Sequence, residues 1–413
     1  ELDGLSWSTF SYLISQNLNT TRKRMNMKKW MVVLLASLMI ISLSVSTALA
    51  QGDGVVFCGD LPGEDCELLT QSQAAMRDLE SAAFDLSLAF SFELPPDVDE
   101  FTATLAGSGA FALDPETLAQ LASFQDMSPE DFDAETFREM MATMPQMLVS
   151  LLRNMAAKAS FELILPDEVM AEREGIDELA WDMLMVDGVL YVNRSPLLFS
   201  GMTGGESAWV GIDLAGMYEG VFAWMDLDEM EEMMGEMGGF TDILESEFFT
   251  ALYDPDYLAE FMSITRLEDA EVGGQTVAVF ETTMDMQDYM NRVMEMQMEM
   301  LGEEAPEDFP ALFNTLITTT MEGVTLRQVQ WIGLEDRYIH HSEVHMMMDI
   351  DFEALAETLP EEADMDDAPE RFSMTIDVAV DLSDFNEPVE VTAPEDAPVI
   401  NPMMFGRPPA MQN

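Results

Sequence analysis

Several segments of the chain alternate apolar and polar residues, which is the pattern of a half-buried β-strand. In the clearest one, residues 86–94, Leu and Phe occupy every second position, with Ser, Ala and Glu between them. Pro95 and Pro96 end this segment, and residues 101–113 alternate again around Gly107 and Gly109. We therefore expect these two segments to pair antiparallel.

Other segments have the signals of β-hairpins. Asp187-Gly188 between two apolar runs is the strongest of these, because this dipeptide favours the tight turn that hairpins need. Two further hairpins are predicted at residues 266–280, turning at Gly273-Gly274, and at residues 324–350, turning at 333–336. Single strands are predicted at residues 160–165, 208–212 and 372–382.

Between the strands, apolar residues recur with the 3.6-residue period of an amphipathic helix. Helices are predicted at residues 68–83, 115–155, 214–249, 257–264, 284–301 and 309–319, with a short one inside the acidic linker 352–370. Hairpins imply an antiparallel sheet, and such a sheet commonly has one wet and one covered face. The sequence therefore predicts an α+β fold with helices on one face of the sheet.

The first fifty residues have the layout of a secretory signal peptide. Met25 or Met27 precedes Lys28-Lys29, an apolar run covers residues 30–45, and Ala48-Leu49-Ala50 forms a small-residue cleavage site. These parts in this order predict export with cleavage after Ala50. The apolar run is shorter than the roughly 20 residues that span a bilayer, which disfavours a membrane anchor, and no later run is long enough to span one.

The predicted organisation follows from these boundaries. Residues 1–24 are interpreted as upstream sequence outside the open reading frame, 25–50 as the signal peptide, 51–67 as an N-terminal disulfide loop, 68–398 as the folded domain and 399–413 as a flexible tail.

Acidic residues far outnumber basic ones. The chain has 79 acids and 17 bases, a formal net charge of −62, yet 48% of it is hydrophobic and its mean hydropathy is +0.04, so a packed core is expected rather than disorder. Residues 1–50 hold two acids and five bases, so the remainder has 77 acids, 12 bases and a net charge of −65, with Lys158 as its only lysine. This charge disfavours nucleic acid and anionic membranes as partners. It is typical of proteins from salty environments, with a divalent-cation buffer as the alternative.

Cys58 and Cys66 are the only cysteines of the chain. In an exported protein, paired cysteines usually form a disulfide, and the turn-rich segment between them suits a small loop. Their spacing matches neither a redox C-x-x-C pair nor the usual zinc spacing. We therefore expect a structural disulfide.

Local motifs resemble the LolA/LppX-like superfamily of exported lipoprotein and lipid carriers, in an uncharacterised secreted bacterial branch. The motifs are a helix leading into a long strand at 75–94, the segments 187–193 and 209–213, the hairpin 272–280, a strand pair beginning near Trp331, and the ending 384–397. The resemblance covers most of residues 68–398. It implies a curved antiparallel half-barrel with amphipathic helices covering its concave face and an apolar cavity between them.

The resemblance implies a periplasmic or extracellular carrier for a lipid, a lipoprotein acyl chain or another apolar ligand, with a possible envelope protein as partner, no catalysis and no cofactor. Methionine, with 38 residues, suits such a cavity because it is flexible and polarizable, although ordinary helix core is an equal alternative. Candidate cavity residues by pattern are Phe90, Phe92, Met144, Met147, Leu151, Trp181, Tyr191, Trp209, Phe280 and Trp331.

Two further classes of function remain open. One is a secreted structural or envelope-interaction protein whose half-barrel is filled and binds nothing small. The other is a metal-binding protein that uses Met, His and carboxylate ligands, of which His341, His345 and Met347 would share one strand face. The second is disfavoured because His340, Met346 and Met348 would face the other way. The P-loop, the G-x-S-x-G elbow and the H-E-x-x-H motif do not occur in the sequence.

Overall fold

The computed structural model describes residues 56–94, 98–125, 134–166, 179–193, 209–222, 259–292, 323–352 and 371–401. Its helices are α1 (Gly63–Arg77), α2 (Pro115–Gln125), α3 (Ala134–Asn154) and α4 (Leu214–Phe222). Its strands are β1 (Ser81–Leu94), β2 (Val98–Ala112), β3 (Ala156–Ile164), β4 (Ala180–Val186), β5 (Val189–Asn193), β6 (Trp209–Asp213), β7 (Met262–Arg266), β8 (Ala270–Val272), β9 (Gln275–Asp285), β10 (Thr325–Gly333), β11 (Ile339–Asp351), β12 (Arg371–Ser383) and β13 (Val399–Ile400).

All thirteen strands belong to one sheet that does not close on itself. Their order is β13-β6-β5-β4-β3-β2-β1-β12-β11-β10-β9-β7, with β8 paired to β9. Every pairing is antiparallel except the short parallel contact of β13 with β6. The fold is therefore an open antiparallel half-barrel with helices, and the predicted α+β class is confirmed.

The three hairpins predicted from the sequence are present. Val186 pairs with Val189 across Asp187-Gly188, and Val272 pairs with Gln275 across Gly273-Gly274. Both residues of each turn have positive φ, the backbone conformation that Gly adopts without strain and Asp tolerates. β10 and β11 form the third hairpin.

Two predicted helix boundaries are wrong. The helix expected at 68–83 is α1 and ends at Arg77, since residues 81–83 pair with β2 and Ala83 also pairs with β12. The helix expected at 257–264 is replaced over Met262–Arg266 by edge strand β7, whose residues pair with β9. In both places long-range strand pairing overrides the local helical pattern.

Helix α2 begins at an aspartate cap. Asp114 Oδ1 accepts hydrogen bonds from the backbone N–H groups of Glu116 (2.9 Å) and Thr117 (3.1 Å), and Oδ2 accepts from the Thr117 hydroxyl. Burial raises the pKa of the Asp114 carboxyl, but these hydrogen bonds outweigh it and the net pKa is lowered. Pro115 at the first helical position completes a sequence-encoded helix start.

The prediction that the tail is flexible from residue 399 onward is wrong for its first two residues. Val399 and Ile400 pair with Gly211 and Ile212 as strand β13. The predictions for residues 1–50 and for 309–319 lie outside the described residues, as do the predictions at 223–249, 257–258, 293–301 and 353–370.

Cys58 and Cys66 form the predicted disulfide, with Cα atoms 5.4 Å apart. Its loop joins the N-terminal segment to α1, whose Leu68 and Leu69 are buried against β7, β9 and β10.

Replacing both cysteines with serine should lower the free energy of unfolding by about 2–3 kcal/mol, since the crosslink restricts the unfolded chain over a short loop. Urea unfolding of the double variant and of the reduced and oxidised parent measures this effect. A reductant should leave the double variant unchanged, and equal midpoints for all forms would contradict the prediction.

Candidate functional site

Strand register assigns each side chain of the sheet to one of two faces. Phe90, Ile376, Met346, Leu326 and Met284 lie directly opposite one another on β1, β12, β11, β10 and β9. Helix α1 packs on this side, so we call it the helix face. The intervening residues of each strand form the open face, which is mainly polar on the central strands.

A methionine layer covers the helix face of β9–β12. Two methionine clusters far apart in the sequence meet there, one in β11 and one at the end of β9 and in the helical segment 286–292 that follows it. Its methionines are Met284, Met286, Met290, Met346, Met348 and Met374. They pack with the buried Phe372 and the partly buried Phe90 and Phe92. Methionine suits such a surface because its thioether adapts to irregular apolar neighbours.

An aromatic stripe continues the helix face across β1–β4. Its members are half-buried: Phe84, Phe90, Phe92, Phe101, Phe111, Phe161 and Trp181. Phe92 and Phe101 have ring centroids 4.9 Å apart, and Phe161 stacks on Trp181 at 5.6 Å. These large rings keep part of their surface exposed, which is unusual for a filled core.

Two glycines of β2 make room for the stripe. A Cβ atom on Gly107 would lie 2.6 Å from the Phe161 ring, and one on Gly109 would lie 2.8 Å from the Phe84 ring. Both rings therefore lie over glycine backbone. The alternation of residues 101–113 predicted a strand, and the function of its two glycines becomes visible only once β1 and β3 flank it.

The structure divides the ten predicted cavity residues among three places. Phe90, Phe92, Trp181 and Phe280 lie on the helix face, where Phe280 is 1% exposed and packs against α1. Tyr191, Trp209 and Trp331 lie on the open face. Met144, Met147 and Leu151 lie on α3, Met144 exposed and the other two half-buried. The set does not converge on one surface, and its role in binding stays a prediction.

A pocket of about 450 Å³ lies between α3 and α4. Pro145, Val149 and Phe222 form its apolar wall, and an ion pair between Arg153 and Glu219 lies at the pocket. Met144, Met147 and Leu151 do not line it.

Each of the three histidines forms a hydrogen bond with a carboxylate. On the open face, His341 Nδ1 lies 2.7 Å from Asp381 and His345 Nδ1 lies 2.6 Å from Asp377. His341, His345 and Met347, the metal ligands of the alternative function, share this face. No group of three or more His, Cys, Asp or Glu suited to a metal occurs in the part of the chain that the structure describes.

One ion pair at the edge of the open face has a clear electrostatic effect. The Arg371 guanidinium hydrogen-bonds to both carboxylate oxygens of Asp349, which lowers the pKa of Asp349 despite partial burial and raises that of Arg371. The pair joins β11 to β12 at the solvent-exposed surface of the sheet.

No protein-family model and no curated protein sequence matches the chain. Among solved structures, LprF from Mycobacterium bovis is similar with a TM-score of 0.28 and 11% identity, over 81% of this chain and 98% of LprF. The lipoprotein LppX from Mycobacterium tuberculosis has a TM-score of 0.25 and 8% identity, over 79% of this chain and 97% of LppX. A LolA superfamily protein from Nitrosomonas europaea has a TM-score of 0.14 and 9% identity, over 78% of this chain and 94% of that protein.

These matches include proteins of the superfamily that the sequence motifs resemble. The fold assignment rests on the strand order and register of the sheet. Among the described residues, none of the helices is both long and apolar enough to cross a bilayer.

Proposed function

We propose that this chain is an exported, non-enzymatic binding protein that carries a lipid, a lipoprotein acyl chain or a similar apolar ligand on the helix face of its half-barrel. The observation that supports this most is the aromatic stripe, because seven large rings on one face stay half-buried. A half-buried apolar surface next to an adaptable methionine layer is suited to acyl chains of varied length.

A small residue inside the stripe allows a direct test. Ala103 lies opposite Phe90 on the helix face, and Ala89, on the neighbouring strand, lies on the open face. The variant Ala103→Trp should fill space that a ligand would use, whereas Ala89→Trp adds the same bulk on the other side. Both variants need a native far-UV spectrum and a cooperative melt to be compared.

The expected result is that protein purified from its own host carries lipid, detected by native mass spectrometry and by solvent extraction. Ala103→Trp should lose most of that lipid, and Ala89→Trp should keep it. Parent protein without lipid that also fails to bind a fluorescent fatty acid would favour the filled structural protein. Equal lipid in the two variants would place the ligand elsewhere.

A further inference from the structure

A polar row crosses the open face at right angles to the strands. Register places its six residues side by side on β6, β5, β4, β3, β2 and β1: Trp209, Asn193, Asp182, Ser160, Ser108 and Asp85. All six are exposed or half-buried. The lipid site proposed above uses the opposite face, so this row needs a separate explanation.

The polar row forms the floor of a groove. Its wall is the C-terminal strap, residues 384–398, which follows β12. At the start of the strap the backbone N–H of Asn386 donates to the Ser81 carbonyl, and the Ser81 hydroxyl donates to the Glu387 carbonyl. At its end the Pro398 carbonyl accepts a hydrogen bond from the backbone N–H of Gly211 in β6. The pocket between strap and floor has a volume of about 660 Å³, and a second pocket of about 580 Å³ shares Asp85 and Asp182 with it. Volumes of this size are typical of small-ligand sites.

The groove has a specific set of hydrogen-bonding groups. Asp182 is held by the Ser160 hydroxyl (2.7 Å) and by the Asn193 amide (3.1 Å). Lys158, the only lysine after residue 50, lines the groove, and within the described ranges neither its ammonium nor the Asp85 carboxylate has a partner. The groove thus offers fixed acceptors, free acceptors, hydroxyls and one free donor, and the indole of Trp209 also lines it.

This combination matches a sugar better than the other ligand classes. Each sugar hydroxyl both donates and accepts a hydrogen bond, and the apolar face of a sugar ring can lie on an indole. A lipid tail would leave the polar floor unpaired, and a net charge of −65 repels nucleic acid and acidic polymers. We propose that the groove binds a neutral glycan chain.

The extent of the row favours a chain over a single sugar. Beyond Asp85 the same row continues with Asp381, His341 and Trp331 on β12, β11 and β10. The nine strands span about 38 Å at roughly 4.8 Å per strand. A tryptophan therefore lies at each end of a polar track that can contact several consecutive sugars.

The test uses cellohexaose, chitohexaose and maltohexaose as neutral probes. Each is titrated into the protein comprising residues 51–413 at high salt, and binding is measured by isothermal titration calorimetry. At least one should bind with a Kd below about 1 mM. For that probe, Asp182→Asn and Lys158→Gln should each weaken binding about fivefold or more, because each removes a charged hydrogen-bonding group. Lys158 is exposed, so its variant tests the site even where another variant fails to fold.

Two controls separate this groove from other surfaces. Glu271→Gln changes an exposed carboxylate in β8, outside the row, and should bind the probe as the parent does. Ala103→Trp on the helix face should also bind normally, which distinguishes this site from the lipid site. The proposal is overturned by no binding of any neutral probe, by binding of polygalacturonate or of an extended peptide instead, or by full affinity of both groove variants.

Discussion

Replacing Met374 with alanine is expected to lower the free energy of unfolding by about 2–5 kcal/mol, the range for deleting a fully buried long side chain. Met374 is 0% exposed and lies on β12 between Phe92 of β1 and Met348 of β11. Its removal takes contacts away from three strands at once and leaves a void in the methionine layer. Urea unfolding monitored by tryptophan fluorescence, on protein freed of lipid, measures the change.

Two variants serve as controls for this prediction. Met374→Leu keeps most of the volume and should cost less than about 1.5 kcal/mol. Met347→Ala removes the same atoms on the open face, where the side chain is 39% exposed, and should change stability by less than about 0.5 kcal/mol. A loss below about 1 kcal/mol for Met374→Ala would mean that the methionine layer is not packed as described.

The second large effect concerns salt. Raising NaCl from about 10 mM to about 1 M is expected to increase the free energy of unfolding by more than about 3 kcal/mol, because the Debye length falls from roughly 30 Å to 3 Å. With a net charge of −65 after residue 50, the folded state holds many like charges closer together than the unfolded chain does. Screening therefore relieves the folded state more.

Thermal unfolding across a salt series measures this dependence. Screening should act mostly below about 0.5 M, whereas a salting-out effect keeps growing with concentration. Sucrose at matched osmolality stabilises without screening and serves as the control. A midpoint that does not respond to salt would contradict the interpretation of the acidic surface as an adaptation to a salty exterior.

Local pattern predicted much of the sheet. The alternation of residues 86–94, the Asp187-Gly188 turn and the hairpin around Gly273-Gly274 all appear as expected, since each depends on neighbours in sequence. The misplaced end of α1 and the strand β7 have a different cause. Pairing with strands that come later in the chain decides both, since residues 81–83 pair with β2 and β7 pairs with β9. Strand β1 also pairs with β12, about 300 residues away.

In the candidate site, too, the local sequence pattern predicted the strands and helices, whereas strand pairing decided which side chains share a face. Tyr191 lies within the apolar run Val189–Val192, where period alone does not tell which side chains share a face. Pairing with β4 places Tyr191 on the open face with Leu184, and Leu190 with Met185 on the helix face. The predicted cavity residues therefore split, although each was correctly placed on a strand or helix.

The sequence by itself determined much of the strand and hairpin pattern, the disulfide partners and the net charge, because all of these depend on composition or on short spacing. Only the tertiary structure decided that two remote methionine clusters form one layer and that Trp209, Asp182 and Asp85 lie in one row. The physical reason is register: a strand fixes alternation along itself, but the strands pairing beside it decide which side chains become neighbours.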